Sequence, residues 1–123
     1  MTYIVMVGRK TADLAELKAA VMQASPSSPI TCCAGAATCL LAMSAFGKGD
    51  VVPDVMLIAQ DITDDSVFGL IEKLKKMRVL RNVRYVVLRQ NPEVPLAKEV
   101  LALSLPEVHT VQDLIHYLSG QAG

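Results

Sequence analysis

Five consecutive apolar residues near the middle of the chain constrain the fold more than any other feature of the sequence. They are Val55, Met56, Leu57, Ile58 and Ala59. A strand with one face in water alternates apolar and polar residues, whereas a strand covered on both faces is apolar throughout. The run therefore predicts a central strand in a sheet that has helices on both faces. A chain of 123 residues can bury such a sheet, and we expect one domain over residues 1–123.

Four further segments have the composition of strands, and helical patterns separate them. These strands are expected at Tyr3–Val7, at Ile30–Cys33, at Tyr85–Leu88 and within Leu105–His109. Five strands that alternate with five helices imply an α/β domain with a parallel sheet. At this length we expect a flavodoxin-like, doubly wound domain with the strand order 2-1-3-4-5.

Local signals predict where several helices begin and end. Thr11 is the expected N-cap of the first helix, and the acidic loop from Asp61 to Asp65 is expected to cap the third. Thr110, with Asp113 three residues later, predicts a capping box at the start of the fifth helix, which we expect to end at Gly120. The expected buried stripe of the fourth helix consists of Leu96, Val100 and Leu103.

Composition excludes several classes of partner. Twelve Lys and Arg balance twelve Asp and Glu, and the chain contains no Trp and 4% aromatic residues. Since neither a net positive charge nor a set of stacking aromatics is present, we expect no nucleic-acid partner. Pro26 and Pro29 interrupt the longest charge-free stretch, so we expect no transmembrane segment and a cytoplasmic protein.

The three cysteines, Cys32, Cys33 and Cys39, do not have the spacing of a metal site. They include no Cys-x-x-Cys pair, and no cluster of histidines accompanies them, so we expect neither zinc nor a structural disulfide. Free and mostly buried thiols are the expected state. The sequence also contains no glycine-rich nucleotide loop and no catalytic triad, so we expect no cofactor and no enzymatic activity.

Three segments carry a resemblance to a known family. Residues Pro53–Ala59 are similar to the segment of receiver domains that is usually written P-D-L-V-L-L-D. The similarity continues through Leu70–Lys76 and Asn82–Leu88, which resemble the third helix and the fourth strand of a receiver. The order and spacing of the elements match over nearly the whole chain. The chain thus resembles the receiver domains of response regulators, which implies their fold.

The residues that receiver chemistry requires are missing from the matching positions. A receiver accepts the phosphoryl group on a carboxylate at the end of its third strand, and the resemblance places Ala59 there. An acidic pair after the first strand holds Mg²⁺ in the family, because hard oxygen ligands suit this ion. Gly8 and Arg9 occupy those positions, and arginine would repel a cation.

The two remaining family positions also differ. Arg89 falls where receivers have Thr or Ser after the fourth strand. The position of the family's Lys after the fifth strand lies between Glu107 and His109. With four departures, the resemblance implies an atypical receiver, or pseudo-receiver, that binds protein partners and is not phosphorylated. Such a domain is sometimes the N-terminal piece of a larger regulator, for example a pilus-localisation ATPase.

Two other functions remain open. Asp61 lies two residues beyond Ala59 and could accept a phosphoryl group in place of the missing aspartate. The segment from Cys32 to Thr38 contains the pattern C-x-x-G-x-x-T, which resembles the phosphocysteine loop of phosphotransferase-system IIB domains. A helix N-terminus there would hold a phosphoryl group and lower the pKa of a thiol at Cys32 or Cys33.

The second helix, predicted from Ala36 to Phe46, carries no charge. A helix that is apolar all round is normally buried on both sides, so we expect a homodimer or a protein partner on its outer face. The family's usual signalling face, on the fourth and fifth helices, is a second candidate. The residues expected at these two surfaces are Ala36, Leu40, Met43 and Phe46 on the second helix, and Lys98, Glu99, His116 and Tyr117 on the other face.

Overall fold

Strands and helices alternate along the chain. The computed structural model describes residues 3–45, 52–77, 80, 83–91 and 93–122. In this part of the chain the strands are β1 (Ile4–Gly8), β2 (Ile30–Ala34), β3 (Val55–Ala59), β4 (Arg84–Leu88) and β5 (Glu107–Val108). The helices are α1 (Thr11–Ala24), α2 (Ala36–Ser44), α3 (Val67–Lys75), α4 (Lys98–Ala102) and α5 (Val111–Ala122).

All five strands belong to one parallel sheet with the order β2-β1-β3-β4-β5. This order confirms the predicted flavodoxin-like topology. β3 lies in the centre, and each of its five residues is buried, as the continuous apolar run predicts. Ile4 is paired with Ile30 on one side and with Val55 on the other, so the strands begin at nearly the same level.

Two hydrophobic clusters cover the two faces of the sheet. On one face α2, α3 and α4 pack against Val7, Ile58 and Val87. On the other face α1 and α5 pack against Met6 and Leu57. No helix in the described ranges is long and apolar enough to cross a membrane.

The starts of α1 and α3 differ from the predictions. Thr11 is the first residue of α1, and its N-cap is Lys10, whose backbone is extended and whose side chain makes no capping hydrogen bond. The N-cap of α3 is Ser66, whose hydroxyl oxygen accepts a hydrogen bond from the N–H of Gly69 at 2.9 Å. Both predicted caps were wrong. α1 begins one residue earlier than expected, and at α3 the short polar residue Ser66 takes the role that the acidic loop was expected to fill.

The last helix begins as predicted and ends later. The hydroxyl oxygen of Thr110 accepts a hydrogen bond from the N–H of Asp113 at 3.1 Å, and Oδ2 of Asp113 accepts one from the N–H of Thr110 at 3.3 Å. This confirms the capping box. The predicted end at Gly120 was wrong, since α5 continues to Ala122.

α4 is shorter than its apolar pattern suggested. It has five residues, and the buried residue of the expected stripe on it is Val100. Leu96 precedes the helix and Leu103 is its C-cap residue, although both pack against the core cluster. A helical spacing of apolar residues thus continued beyond the helix itself.

Candidate functional site

The carboxyl ends of β1 and β3 form the crevice where a sheet of this topology usually binds ligands. The chain leaves β1 towards β2 on one side, and β3 lies on the other, which makes this the topological switch point. Gly8 ends β1 and Ala59 ends β3, and both residues are buried. Neither has a side chain with an oxygen, nitrogen or sulfur atom. The floor of the crevice therefore offers no nucleophile at these two positions.

Position 8 leaves little space for an acidic side chain. A Cβ atom on Gly8 would lie 3.1–3.3 Å from three side-chain carbons of Leu14. Leu14 is buried in the cluster between α1 and the sheet. The close approach of α1 to the end of β1 therefore depends on glycine, and a carboxylate here would force Leu14 to move.

Asp61 reaches across the crevice to the end of β1. Its Oδ1 accepts a hydrogen bond from the backbone N–H of Arg9 at 3.4 Å, which is a long and weak contact. Arg9 itself is exposed, and Asp61 is partly exposed. These two predicted site residues are thus brought together at the rim of the crevice.

Arg89, directly after β4, connects the end of this strand to β5 and to the loop that contains Val94. Its Nη1 atom forms an ion pair with Oε1 of Glu107 at 3.0 Å, and its Nη2 donates to the carbonyl oxygen of Val94 at 2.8 Å. Its backbone N–H donates to the carbonyl oxygen of Val108 at 2.9 Å. The arginine side chain is therefore directed towards β5 and the loop by bonds that fix its position.

Gln60 is a residue of this edge that the sequence analysis missed. Its Nε2 donates to the carbonyl oxygen of Val94 at 2.8 Å, and its Oε1 accepts from the N–H of Asn91 at 3.2 Å. Gln60 and Arg89 thus hold the same loop through the same carbonyl. The one signal in the sequence is a polar residue directly after the buried run of β3.

Asp64 caps α2, a role that the sequence analysis also missed. Its Oδ1 accepts a hydrogen bond from the N–H of Ala36 at 2.8 Å, and its Oδ2 accepts one from the N–H of Ala37 at 2.9 Å. The bonds from Ala37 and Ala36 lower the pKa of the Asp64 carboxyl. Gly35 precedes the helix with a φ of 94°, and a Cβ there would lie 3.0 Å from Oδ2 of Asp64. A carboxylate of the chain itself therefore occupies the N-terminus of α2.

The cysteines are free thiols on two sides of the sheet, as expected. Cys33 and Cys39 are buried between the sheet and α2, where the Sγ of Cys39 lies 3.9 Å from Sδ of Met56. Cys32 is partly exposed and packs with the cluster on the α1 face, where burial raises the pKa of its thiol. The structure thus separates Cys32 from the N-terminus of α2.

The structure changes which side chains can form a surface on α2. Met43 and Ala36 are each 1% exposed and belong to the core, so their expected place on an outer surface was wrong. Leu40 is partly buried against the same core, and Phe46 lies outside the described residues. Leu41, by contrast, is 75% exposed. The uncharged outer side of α2 therefore centres on Leu41.

The residues expected on the second surface lie in two places. Lys98 and Glu99 are exposed on α4. His116 and Tyr117 line an open depression of about 440 Å³ beside the end of β5. The other residues that line this depression are Glu107, Val108, His109 and Asp113. His109 and Glu107, expected in the phosphorylation pocket, thus also belong to the α5 surface.

Solved structures of receiver domains share the fold of this chain. The signal receiver domain of a DNA-binding response regulator from Colwellia psychrerythraea has a TM-score of 0.78 and 12% identity, covering 99% of this chain and 98% of its own. A CheY-like receiver domain from Methylobacillus flagellatus has a TM-score of 0.76 and 17% identity, with 98% of both chains covered. A CheY-like receiver domain protein from Methanospirillum hungatei has a TM-score of 0.75 and 16% identity, covering 98% of this chain and 93% of its own.

Comparisons of the amino-acid sequence with known families and proteins give no match. A scan against protein-family models gives no match, and a search of curated proteins gives none either. At identities of 12–17% the structural likeness concerns the fold. Together with the sheet order and the placement of the helices, it shows that this chain has the fold of a receiver domain.

Proposed function

We propose that this receiver-like domain is a signalling or localisation module that binds protein partners and is not phosphorylated. The observation that carries this is Ala59, buried at the end of the central strand, where the receiver resemblance places the phosphoacceptor. Its methyl group has no lone pair that could attack phosphorus. A chain that keeps the fold without the nucleophile retains surfaces for binding, so binding is the function that we assign to it.

The surroundings of Ala59 also disfavour the metal ion that phosphoryl transfer needs. Mg²⁺ prefers several oxygen ligands and is usually held by one or two carboxylates. Gly8 supplies no side-chain oxygen, and the positive charge of Arg9 opposes a cation at the same edge. Glu107, a carboxylate near the same edge, is already in an ion pair with Arg89 at 3.0 Å. We therefore infer that the crevice does not take up Mg²⁺ tightly.

Asp61 is a poor replacement for the missing acceptor. It lies at the rim, two residues beyond the end of β3, where its Oδ1 makes a long contact with the N–H of Arg9. Phosphorylation there would lack an acidic pair to hold the metal. We propose that Asp61 instead helps to close the crevice between β1 and β3.

A phosphoryl-donor assay tests this function. We expect the intact mass of the protein to stay unchanged after incubation with acetyl phosphate and Mg²⁺, and Ala59→Asp alone should also stay unmodified because the acidic pair is still missing. The Asp61→Asn variant is the matched control. A phosphoryl adduct on the wild type that this variant loses would establish the alternative, a receiver phosphorylated at Asp61.

We propose the outer side of α2 as one surface for a protein partner. Leu41 projects from a helix whose described residues carry no charge, and such a side chain loses unfavourable contact with water when a partner covers it. We also propose that the module acts in the cytoplasm as a piece of a larger regulator. The protein partner on α2 and the cytoplasmic location are both parts of the proposed signalling or localisation function.

A pair of substitutions distinguishes the outer side of α2 from its core side. Leu41→Glu should leave the circular dichroism spectrum and the thermal transition nearly unchanged, while it weakens binding to an identified partner by about tenfold or more. Met43→Glu should unfold the domain, because it buries a charge in the core. A Leu41→Glu variant that binds every identified partner as the wild type does would refute this surface.

A further inference from the structure

β2 lies at one edge of the sheet, and its sequence does not protect this edge. β1 pairs with one side of β2, and the sheet order places no strand of the described chain on its other side. Ile30, Thr31 and Cys32 are partly exposed, whereas every residue of β1 and β3 is buried. The strand Ile30–Ala34 contains no charged residue and no proline. Natural edge strands usually carry such residues, because an open edge is a template for pairing with another strand.

The pairing with β1 determines which backbone groups of β2 are directed outwards. The N–H of Ile4 donates to the carbonyl oxygen of Pro29 at 3.0 Å, and the N–H of Gly35 donates to that of Gly8 at 2.7 Å. In a parallel ladder with this register, the backbone N–H and C=O groups of Thr31 and Cys33 are directed towards β1. The N–H and C=O groups of the alternate residues, Ile30, Cys32 and Ala34, are therefore directed away from the sheet.

We propose that a second copy of this chain pairs with β2 in antiparallel orientation and joins the two sheets into one. A twofold axis at Cys32 places this residue opposite the partner's Cys32, and Ile30 opposite the partner's Ala34. All three outward residues then both donate and accept a hydrogen bond across the axis. This inference does not depend on whether the domain accepts a phosphoryl group.

The side chains of the edge fit a second copy. A large residue, Ile30, meets a small one, Ala34, at each end, so the strand is complementary to itself about the axis. The formal net charge of the chain is zero, so two copies do not repel each other as a whole. Because the contact is the same on both copies, it closes after two chains and does not extend into a fibre.

α1 adds apolar surface beside the same edge. Lys18 lies close enough to Cys32 for its charge to act on the thiol, which places this side of α1 near β2. Met22, one helical turn further on, is 50% exposed. The twofold axis is perpendicular to the sheet, so α1 of one copy approaches α1 of the other. A stable dimer needs roughly 800 Å² from each partner, so we expect α1 to contribute to the interface together with the strand.

Lys18 makes this dimer distinguishable from a complex with another strand. Two copies bring their Lys18 side chains close together, so we expect salt to strengthen the dimer and Lys18→Gln to tighten it by a few fold. An acidic strand of a different protein would be attracted by Lys18, and the same changes would weaken that complex. Tighter association of Lys18→Gln therefore supports the second copy, and weaker association overturns it.

Hydrogen exchange measured by NMR tests the register residue by residue. At high protein concentration, where sedimentation should give about twice 13.2 kDa, we expect slow exchange at Ile30, Cys32 and Ala34. On dilution to the monomer these three amides should exchange fast, while those of Thr31 and Cys33 stay protected by β1. A chain that is monomeric at every concentration overturns the proposal. A dimer in which the three outward amides exchange fast also overturns it.

Two substitutions test the same edge without NMR. Cys32→Pro removes an outward N–H but no hydrogen bond to β1, so it should preserve the fold and weaken the dimer at least tenfold. Ala34→Lys introduces an exposed charge at the edge and should have the same effect, so the test stands even if the proline variant does not fold. Ala102→Lys, at an exposed position of α4, is the matched control and should leave the dimer intact. Persistence of the dimer in a folded Ala34→Lys variant would contradict β2 pairing.

Discussion

The two ends of the carboxyl edge of the sheet are held by different interactions. Beside β2, the carboxylate of Asp64 binds two backbone N–H groups of α2 next to the constrained Gly35. Beside β5, the side chain of Arg89 binds Glu107 and the carbonyl of Val94. The first arrangement uses backbone N–H groups that the fold itself aligns, and the second uses two partly exposed side chains. The arrangement beside β2 should therefore contribute more to stability than the one beside β5. The crevice between these two ends carries no nucleophile at Ala59.

The largest effect on stability is expected from a substitution of Gly35, whose backbone is constrained beside β2. Gly35→Ala places a Cβ at a φ of 94° and 3.0 Å from Oδ2 of Asp64, so it should lower the free energy of unfolding by about 2 kcal/mol. Urea unfolding measures this loss. Ala34→Gly, at the preceding exposed residue, is the control and should cost about 0.5–1 kcal/mol. Equal losses for the two variants would mean that Gly35 carries no special constraint.

A smaller effect is expected from the cap itself. Asp64→Ala removes the acceptor for Ala36 and Ala37 and should cost about 1 kcal/mol at neutral pH. Because the native pKa of Asp64 is lowered by these bonds, the stabilisation is present above the unfolded pKa of about 4 and is lost as the pH falls through the native pKa. The wild type and the variant should therefore converge in acid. A difference in stability that persists unchanged at low pH would contradict the charged cap.

The smallest effect is expected at the β5 end. The side chains of Arg89 and Glu107 are 16% and 32% exposed, so the coupling between them should be about 0.5 kcal/mol and should weaken in salt. A double-mutant cycle with Arg89→Met and Glu107→Gln isolates this coupling. Arg89→Met should cost more than Glu107→Gln, because it also removes the bond to Val94. A coupling larger than the cost of Asp64→Ala would reverse the ranking of the two ends.

The same contrast explains which features the sequence revealed. The strand order followed from the continuous apolar run of β3 and from the alternation of strands and helices. The capping box of Thr110 and Asp113 was visible because its partners are three residues apart. The cap of α2 by Asp64 was not, because Ala36 lies 28 residues away and the two meet only through the sheet. Local hydrogen bonds thus appear as patterns in the sequence, and long-range ones do not.

The orientation of α2 was undetermined for a related reason. A helix finds its buried side from the contrast between apolar and polar residues, and α2 offers little contrast because its described residues carry no charge. Met43 was therefore expected outside and lies in the core, whereas Leu41 is exposed. In α3, by contrast, the lysines define the outer side, and Val67, Ile71 and Leu74 are buried.

The most direct test of the central claim is an NMR titration with Mg²⁺ and beryllofluoride, which mimics a phosphoryl group on a carboxylate. The crevice offers no acceptor at Ala59 and no acidic pair at Gly8 and Arg9, so we predict unchanged amide signals for Ala59, Asp61 and Arg89 at saturating reagent. A second, slowly exchanging set of signals for these residues, which the Asp61→Asn variant does not show, would contradict the account and establish a phosphorylatable receiver.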